Sequence, residues 1–148
     1  MGSVVALVGT KDSVEDIRGS ISKALDLIEF KLDRPVESVA IKPNLCYYWD
    51  AATGYTTDPR VVAAVIDIVR ETCGESVDIK VVEADASAMR TKYAFPILRY
   101  EKLAEEKGVD LFNLSDDVLV EESAYMNRHE IPFKVPQLLL KSDLFINM

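Results

Sequence analysis

The sequence is poor in the side chains that usually announce metal or nucleophilic chemistry, with two cysteines and one histidine in 148 residues. Cys46 and Cys73 alone cannot hold an iron–sulfur cluster. No His/Cys spacing of the zinc type occurs, so no metal ligand is assigned. The two thiols are expected to stay reduced in a cytoplasmic protein. Basic residues are also scarce: 17 Lys and Arg against 25 Asp and Glu leave a net charge of −8. That balance disfavours nucleic acid and anionic membrane as partners. The longest apolar runs, Val4 to Val8 and Val61 to Ile66, fall far short of the ~20 residues of a membrane helix. The opening Met1-Gly2-Ser3 lacks a basic n-region, and no signal peptide is expected. Neither G-x-G-x-x-G nor G-x-x-x-x-G-K-[ST] occurs, which leaves a standard dinucleotide or P-loop reading without support.

What is there is a soluble globular composition, 49% hydrophobic and 28% charged, on a chain sized for a single domain over 1–148. Val4 to Val8 reads as a buried strand. Asp12 or Ser13 caps a following helix whose residues Val14, Ile17, Ile21, Ala24, Leu25 and Ile28 make one apolar stripe to lay against a sheet. Ser38 to Ile41 is the next strand. Asp58-Pro59 then opens a helix carrying Val62, Val65, Ile66 and Val69 and ending near Gly74. Val77 to Val82 is a third strand, Pro96 to Lys107 a third helix, and Val109 to Leu114 a fourth strand. From Asp116 the rhythm changes. Val118 to Glu121 and His129 to Phe133 predict an antiparallel hairpin turning near Asn127, before a short helix over Pro136 to Lys141 and a last strand over Asp143 to Asn147. The expected class is α/β: a three-layer sandwich with a mostly parallel, Rossmann-like sheet and a small antiparallel hairpin excursion.

Polar chemistry gathers where the strands end. Lys42 and Asn44 follow the Ser38 to Ile41 strand, Thr56, Thr57 and Asp58 precede the second helix, and Asp85 and Ser87 follow the third strand. Right-handed crossovers bring such loops to one edge, where open α/β sheets hold ligands. Lys42 offers a point charge for a phosphate or carboxylate, or stands as a solvated lysine. Asn44 holds a ligand or closes an Asx-turn. Thr56 and Thr57 join the first amides of the helix as an anion site, unless Asp58 fills that positive end as an N-cap. Asp85 and Ser87 hold a hydroxyl or cation, or cap a turn. The expected ligand-binding set is therefore Lys42, Asn44, Thr56, Thr57, Asp85 and Ser87, with no catalytic residue assigned. Cys46 lacks a histidine nearby in sequence, His129 being the only one. Tyr47, Tyr48 and Trp49 are open to three roles: a lid, an oligomer contact or a satellite core.

The run Lys42-Pro43-Asn44-Leu45, the element Gly54…Thr57-Asp58-Pro59-Arg60-Val61-Val62, the strand end Glu83-Ala84-Asp85-Ala86-Ser87 and the segment Ser142-Asp143-Leu144-Phe145-Ile146-Asn147 together resemble the family catalogued as domain of unknown function 362, DUF362. The resemblance runs nearly end to end. It implies that the chain is the N-terminal portion of a longer protein, since family members continue into a Pro-Lys-Leu-Lys-Thr-His-like segment and some carry ferredoxin-type cysteine clusters elsewhere. It brings no generally established reaction. The leading expectation is a domain that binds a small anionic ligand at the C-terminal edge of its sheet, within a redox-linked enzyme. The rival is a non-catalytic docking module that associates with a second copy or with a missing C-terminal or ferredoxin-like domain.

Overall fold

The computed structural model describes residues 4–148; the reading of Met1-Gly2-Ser3 lies outside the described residues. Helix α1, Val14–Leu27, starts at Ser13, whose Oγ accepts the Asp16 amide at 3.0 Å, and Glu15 and Asp16 sit at its positive end. Strand β1, Ser38–Lys42, leads through a polar loop to α2, Pro59–Cys73, which has the expected Asp58 cap, Pro59 in its first turn and Gly74 at its end. Strand β2, Asp78–Glu83, is followed by α3, Thr91–Ile97, α4, Tyr100–Lys107, and β3, Asp110–Asn113. Strands β4, Leu119–Met126, and β5, His129–Pro136, make the hairpin, and α5, Gln137–Lys141, leads into β6, Leu144–Asn147.

The main sheet is four-stranded and parallel in the order β3-β2-β1-β6. Alternate residues of β1 and β2 serve its two faces. Val39, Ile41, Ile79 and Val81 pack with Val62, Ile66 and Val69 of α2 and with Phe95, Tyr100 and Leu103 of α3 and α4. Ala40 and Val82 face the other way, onto Leu114, Leu138 and Leu139. Helices thus cover both faces of a Rossmann-like α/β sheet, and the antiparallel β4–β5 hairpin stands apart from it as a separate two-stranded ribbon. Each fully buried Val or Ile contributes roughly 1.5–3 kcal/mol by leaving water.

Four sequence expectations change. Val4 to Val8 forms no strand: Val4, Val5 and Leu7 are exposed and unpaired. A strand needs a ladder partner, and the root of this segment is instead drawn onto α1, where the Ser20 hydroxyl donates to the Gly9 carbonyl at 3.2 Å. The stripe of α1 rests on α2 rather than on the sheet, and of its residues only Ile17 is buried. The helix expected over Pro96 to Lys107 is two helices. Pro96 lies inside α3 instead of opening a helix, and Arg99 adopts a left-handed conformation, φ 66°, that breaks the run. The hairpin is longer than expected because its turn, Asn127-Arg128, has positive φ at both positions. That is the backbone sense that matches strand twist in two-residue loops, so pairing runs from Leu119↔Pro136 to Met126↔His129.

Candidate functional site at the C-terminal edge of the sheet

Lys42 is the last residue of β1, in register with Asn147 of β6, and its carbonyl accepts the Met148 amide at 2.9 Å. The chain leaves β1 through α2 on one face of the sheet, whereas β6 arrives from α5, whose Leu138 and Leu139 pack on the other. Lys42 therefore stands where the strand order reverses, the switch point at which open α/β sheets hold ligands. Its ammonium pairs with Glu83 at the end of β2. The Glu83 side chain is 7% exposed and that of Lys42 28%. The contact is ionic without hydrogen-bond alignment, for Glu83 Oε2 lacks an aligned donor.

Asn44 and Thr57 are committed to each other. The Asn44 amide donates to Thr57 Oγ1 and the Thr57 amide to the Asn44 carbonyl, both at 2.9 Å, while Asn44 Nδ2 donates to the Tyr55 carbonyl at 3.0 Å. With the Leu45↔Thr56 bridge these bonds zip the two ends of the loop together. Thr56 is buried beside them with its hydroxyl unpartnered. Asp58 caps α2, accepting the Arg60 amide at 2.8 Å, and the Arg60 guanidinium grips the same carboxylate. That hydrogen bonding holds Asp58 below the usual carboxylate range. A helix end so occupied has no free positive charge for an anion. The Tyr100 hydroxyl, donating to the Thr57 carbonyl at 2.9 Å, lies under this loop. Burial, reinforced by the Asp58 and Glu83 charges, pushes its phenol well up.

The loop after β2 forms a second group. Asp85 accepts the Thr91 amide at 2.9 Å and the Arg90 guanidinium at 3.0 Å, and its own amide donates to Ser115 Oγ at 2.8 Å. The Thr91 amide, followed by Arg90, holds its carboxyl below the ordinary value. Ser87 is exposed in the tight turn closed by the Ala86↔Met89 bridge. Asp85, Arg90, Lys92, Tyr93, Asn113 and Asp116 line an open depression of about 510 Å³. Of the six expected ligand residues only Asp85 is among its walls. Tyr48 ties the two loops together by accepting the Arg90 amide at 2.8 Å. Beside it, the Tyr47, Trp49 and Tyr55 rings touch in series, Tyr47–Trp49 at 5.3 Å and Trp49–Tyr55 at 5.1 Å between centroids.

Sequence reasoning left out Glu83, Tyr48, Arg90 and Tyr100. Glu83 had a signal, a carboxylate ending the apolar run Val81-Val82, whereas the partners of Tyr48 and Tyr100 are set only by folding. Cys46 donates weakly to the Tyr55 carbonyl at 3.5 Å, and both cysteines are free. Among the described residues no group of three or more His, Cys, Asp or Glu is placed to hold a metal ion, and no helix is long and apolar enough to cross a membrane. No curated protein and no solved structure gives a significant match to the chain. A family model, described as domain of unknown function (DUF362), matches residues 39–148. That span takes in β1 from Val39 on, the zipped loop, the Lys42–Glu83 pair and β6, and the chain belongs to the DUF362 family.

Proposed function

We propose that the C-terminal edge of the sheet binds a small anionic ligand, with Lys42 as its charged contact. The observation that carries this reading is the lysine at the switch point, partly open to solvent and backed by buried Glu83. An ammonium has three donors. Glu83 lies on one side of it and the Pro43 carbonyl accepts from it at 3.5 Å, which leaves a donor for a phosphate or carboxylate. Asn44 and Thr57 support the loop beside it, and Asp85 and Arg90 shape the neighbouring depression. In the wider frame of the family resemblance, this edge is the ligand-holding part of a redox-linked enzyme. The two free thiols fit a reducing compartment, and the cytosol is the location proposed.

The test is a thermal-shift screen of wild type against nucleotides, inorganic phosphate, small carboxylates and divalent cations, repeated with the Lys42→Met/Glu83→Gln double variant, which removes both charges together. A ligand at about 100 times its Kd adds about 2.7 kcal/mol, a rise of several degrees in a domain of this size. A shift in wild type that disappears in the double variant is expected. A shift that survives in the double variant, or no shift with any compound, overturns the reading.

A docking role is favoured by one observation, the exposure of Tyr47, Trp49 and Tyr55 as a connected aromatic surface. If that surface binds a partner domain, Trp49→Ala abolishes capture of that domain and leaves the melting temperature within a degree or so. Retained capture by Trp49→Ala removes this reading.

A further inference from the structure

Three rings of the loop after β1 stand in water, Tyr47 38%, Trp49 46% and Tyr55 62% exposed. They are also held in place. Between Trp49 and Tyr55 the chain makes a closed turn: Asp50 Oδ1 accepts the Ala52 amide at 2.9 Å, the Thr53 hydroxyl donates to the Asp50 carbonyl at 2.7 Å, and Gly54, at φ 76°, takes the left-handed conformation. That turn sets the Trp49 and Tyr55 rings 5.1 Å apart. At the other end Tyr47 rests on Tyr48 at 5.2 Å, and Tyr48 accepts the Arg90 amide. The rings thus form a platform fixed at both ends before anything covers it, which lowers the ordering cost of binding there.

Area decides what covers it. At 150–250 Å² for a whole aromatic side chain, these exposures leave roughly 200–400 Å² of platform. A protein partner covers roughly 800 Å² on each side, whereas a planar ring of ligand size fits the platform. Lys42 stands at the root of the same loop. Two residues on, Asn44 Nδ2 donates to the Tyr55 carbonyl at 3.0 Å, so the backbone that carries the outermost ring lies on the order of 10 Å from that of Lys42. A small molecule with an anion at one end and a ring at the other bridges such a separation.

We propose that the anionic ligand of Lys42 is a nucleoside phosphate whose base stacks on Trp49 and its neighbours. The proposal rests on the reading of Lys42 given above, and it assigns to the ligand the rings that the docking reading gives to a partner domain. No glycine-rich phosphate loop is needed, because an ammonium meets the charge and ring faces meet the base. Stacking of this kind accepts any base, every base having a π face.

Equilibrium dialysis with radiolabelled AMP and ribose 5-phosphate is the test, because the two share phosphate and sugar and differ in the base. Wild type is expected to bind AMP roughly 5–150-fold more tightly than ribose 5-phosphate, the range of one stacked base. Trp49→Ala, and Tyr55→Ala beside it in case the first disturbs the loop, are expected to lose most of that margin. The Lys42→Met/Glu83→Gln variant is expected to bind both compounds more weakly. Trp49 is the single tryptophan, so AMP is expected to quench the fluorescence of wild type and ribose 5-phosphate to leave it unchanged. Equal affinity for the two compounds, or a margin that survives both ring substitutions, overturns the inference and leaves the Lys42 reading standing. Binding of both compounds that the Lys42→Met/Glu83→Gln variant retains in full, or binding of neither to wild type, overturns both.

Discussion

Lys42 and Glu83 show how much depends on a single contact between two strand ends. Glu83 is nearly sealed from water and Lys42 is not. Removing the lysine therefore leaves a carboxylate with neither solvent nor partner. Breaking a fully buried pair costs about 3–5 kcal/mol. Because Lys42 keeps part of its surface in water, Lys42→Met is expected to cost about 2–3 kcal/mol and the Lys42→Met/Glu83→Gln double variant markedly less. Urea denaturation of both chains checks this, and equal losses would show that the pair is not coupled. Tyr100 makes a similar case. Tyr100→Phe keeps the buried ring but takes the donor from the Thr57 carbonyl, for an expected loss of about 1–2 kcal/mol. Lys42 was legible from its place after an apolar strand. Its partner was not, because the pairing depends on β1 and β2 lying side by side.

Among the elements, α2 was read almost as it stands, because its start and stop are local chemistry: Asp58 and Pro59 at one end, Gly74 at the other. The N-cap is expected to be worth about 1 kcal/mol, seen as a lowered urea midpoint at unchanged slope in Asp58→Ala. The same residue was also weighed as part of an anion site, and the structure gives its carboxylate to the Arg60 amide and guanidinium. The α3–α4 break was not legible. Its cause is a left-handed Arg99, which no residue preference announces, whereas Pro96 invited the reading of a helix start. The hairpin was legible in kind and position, its alternation being strong, but its length was set by the Asn127-Arg128 turn.

For the whole molecule, Asp143 joins segments far apart in sequence. Its Oδ2 accepts the Glu37 amide at 3.0 Å, the Ser38 amide at 2.9 Å and the Ser38 hydroxyl at 2.9 Å, fastening the entry of β6 to the start of β1. The Glu37 amide first, then Ser38, holds this carboxyl below its ordinary value of 3.8. A carboxylate depressed by folding adds stability that is full above its unfolded value and is lost as the pH falls through its folded one. Asp58 and Asp85 are depressed as well, so the fold is expected to weaken in acid. Asp143→Asn is expected to melt lower than wild type at neutral pH, with the gap closing below about pH 4. Melting curves from neutral to acid pH check this, and a gap independent of pH would rule out the linkage.

By itself the sequence determined the alternation of strands and helices, the caps of α1 and α2, the α/β class and the strand ends where polar residues collect, because each is written in local periodicity and end chemistry. Lys42 and Asp85 were recognisable on that basis. Only the tertiary structure decided that Glu83 pairs with Lys42, that Asn44 and Thr57 spend their hydrogen bonds on each other, that Tyr48 reaches Arg90, and that Val4 to Val8 stays unpaired. The physical reason is common to all four. A side chain's polar groups go to whichever partner the strand order brings within reach, and a strand exists only beside another. Neighbourhood across the sheet is a property of the fold as a whole.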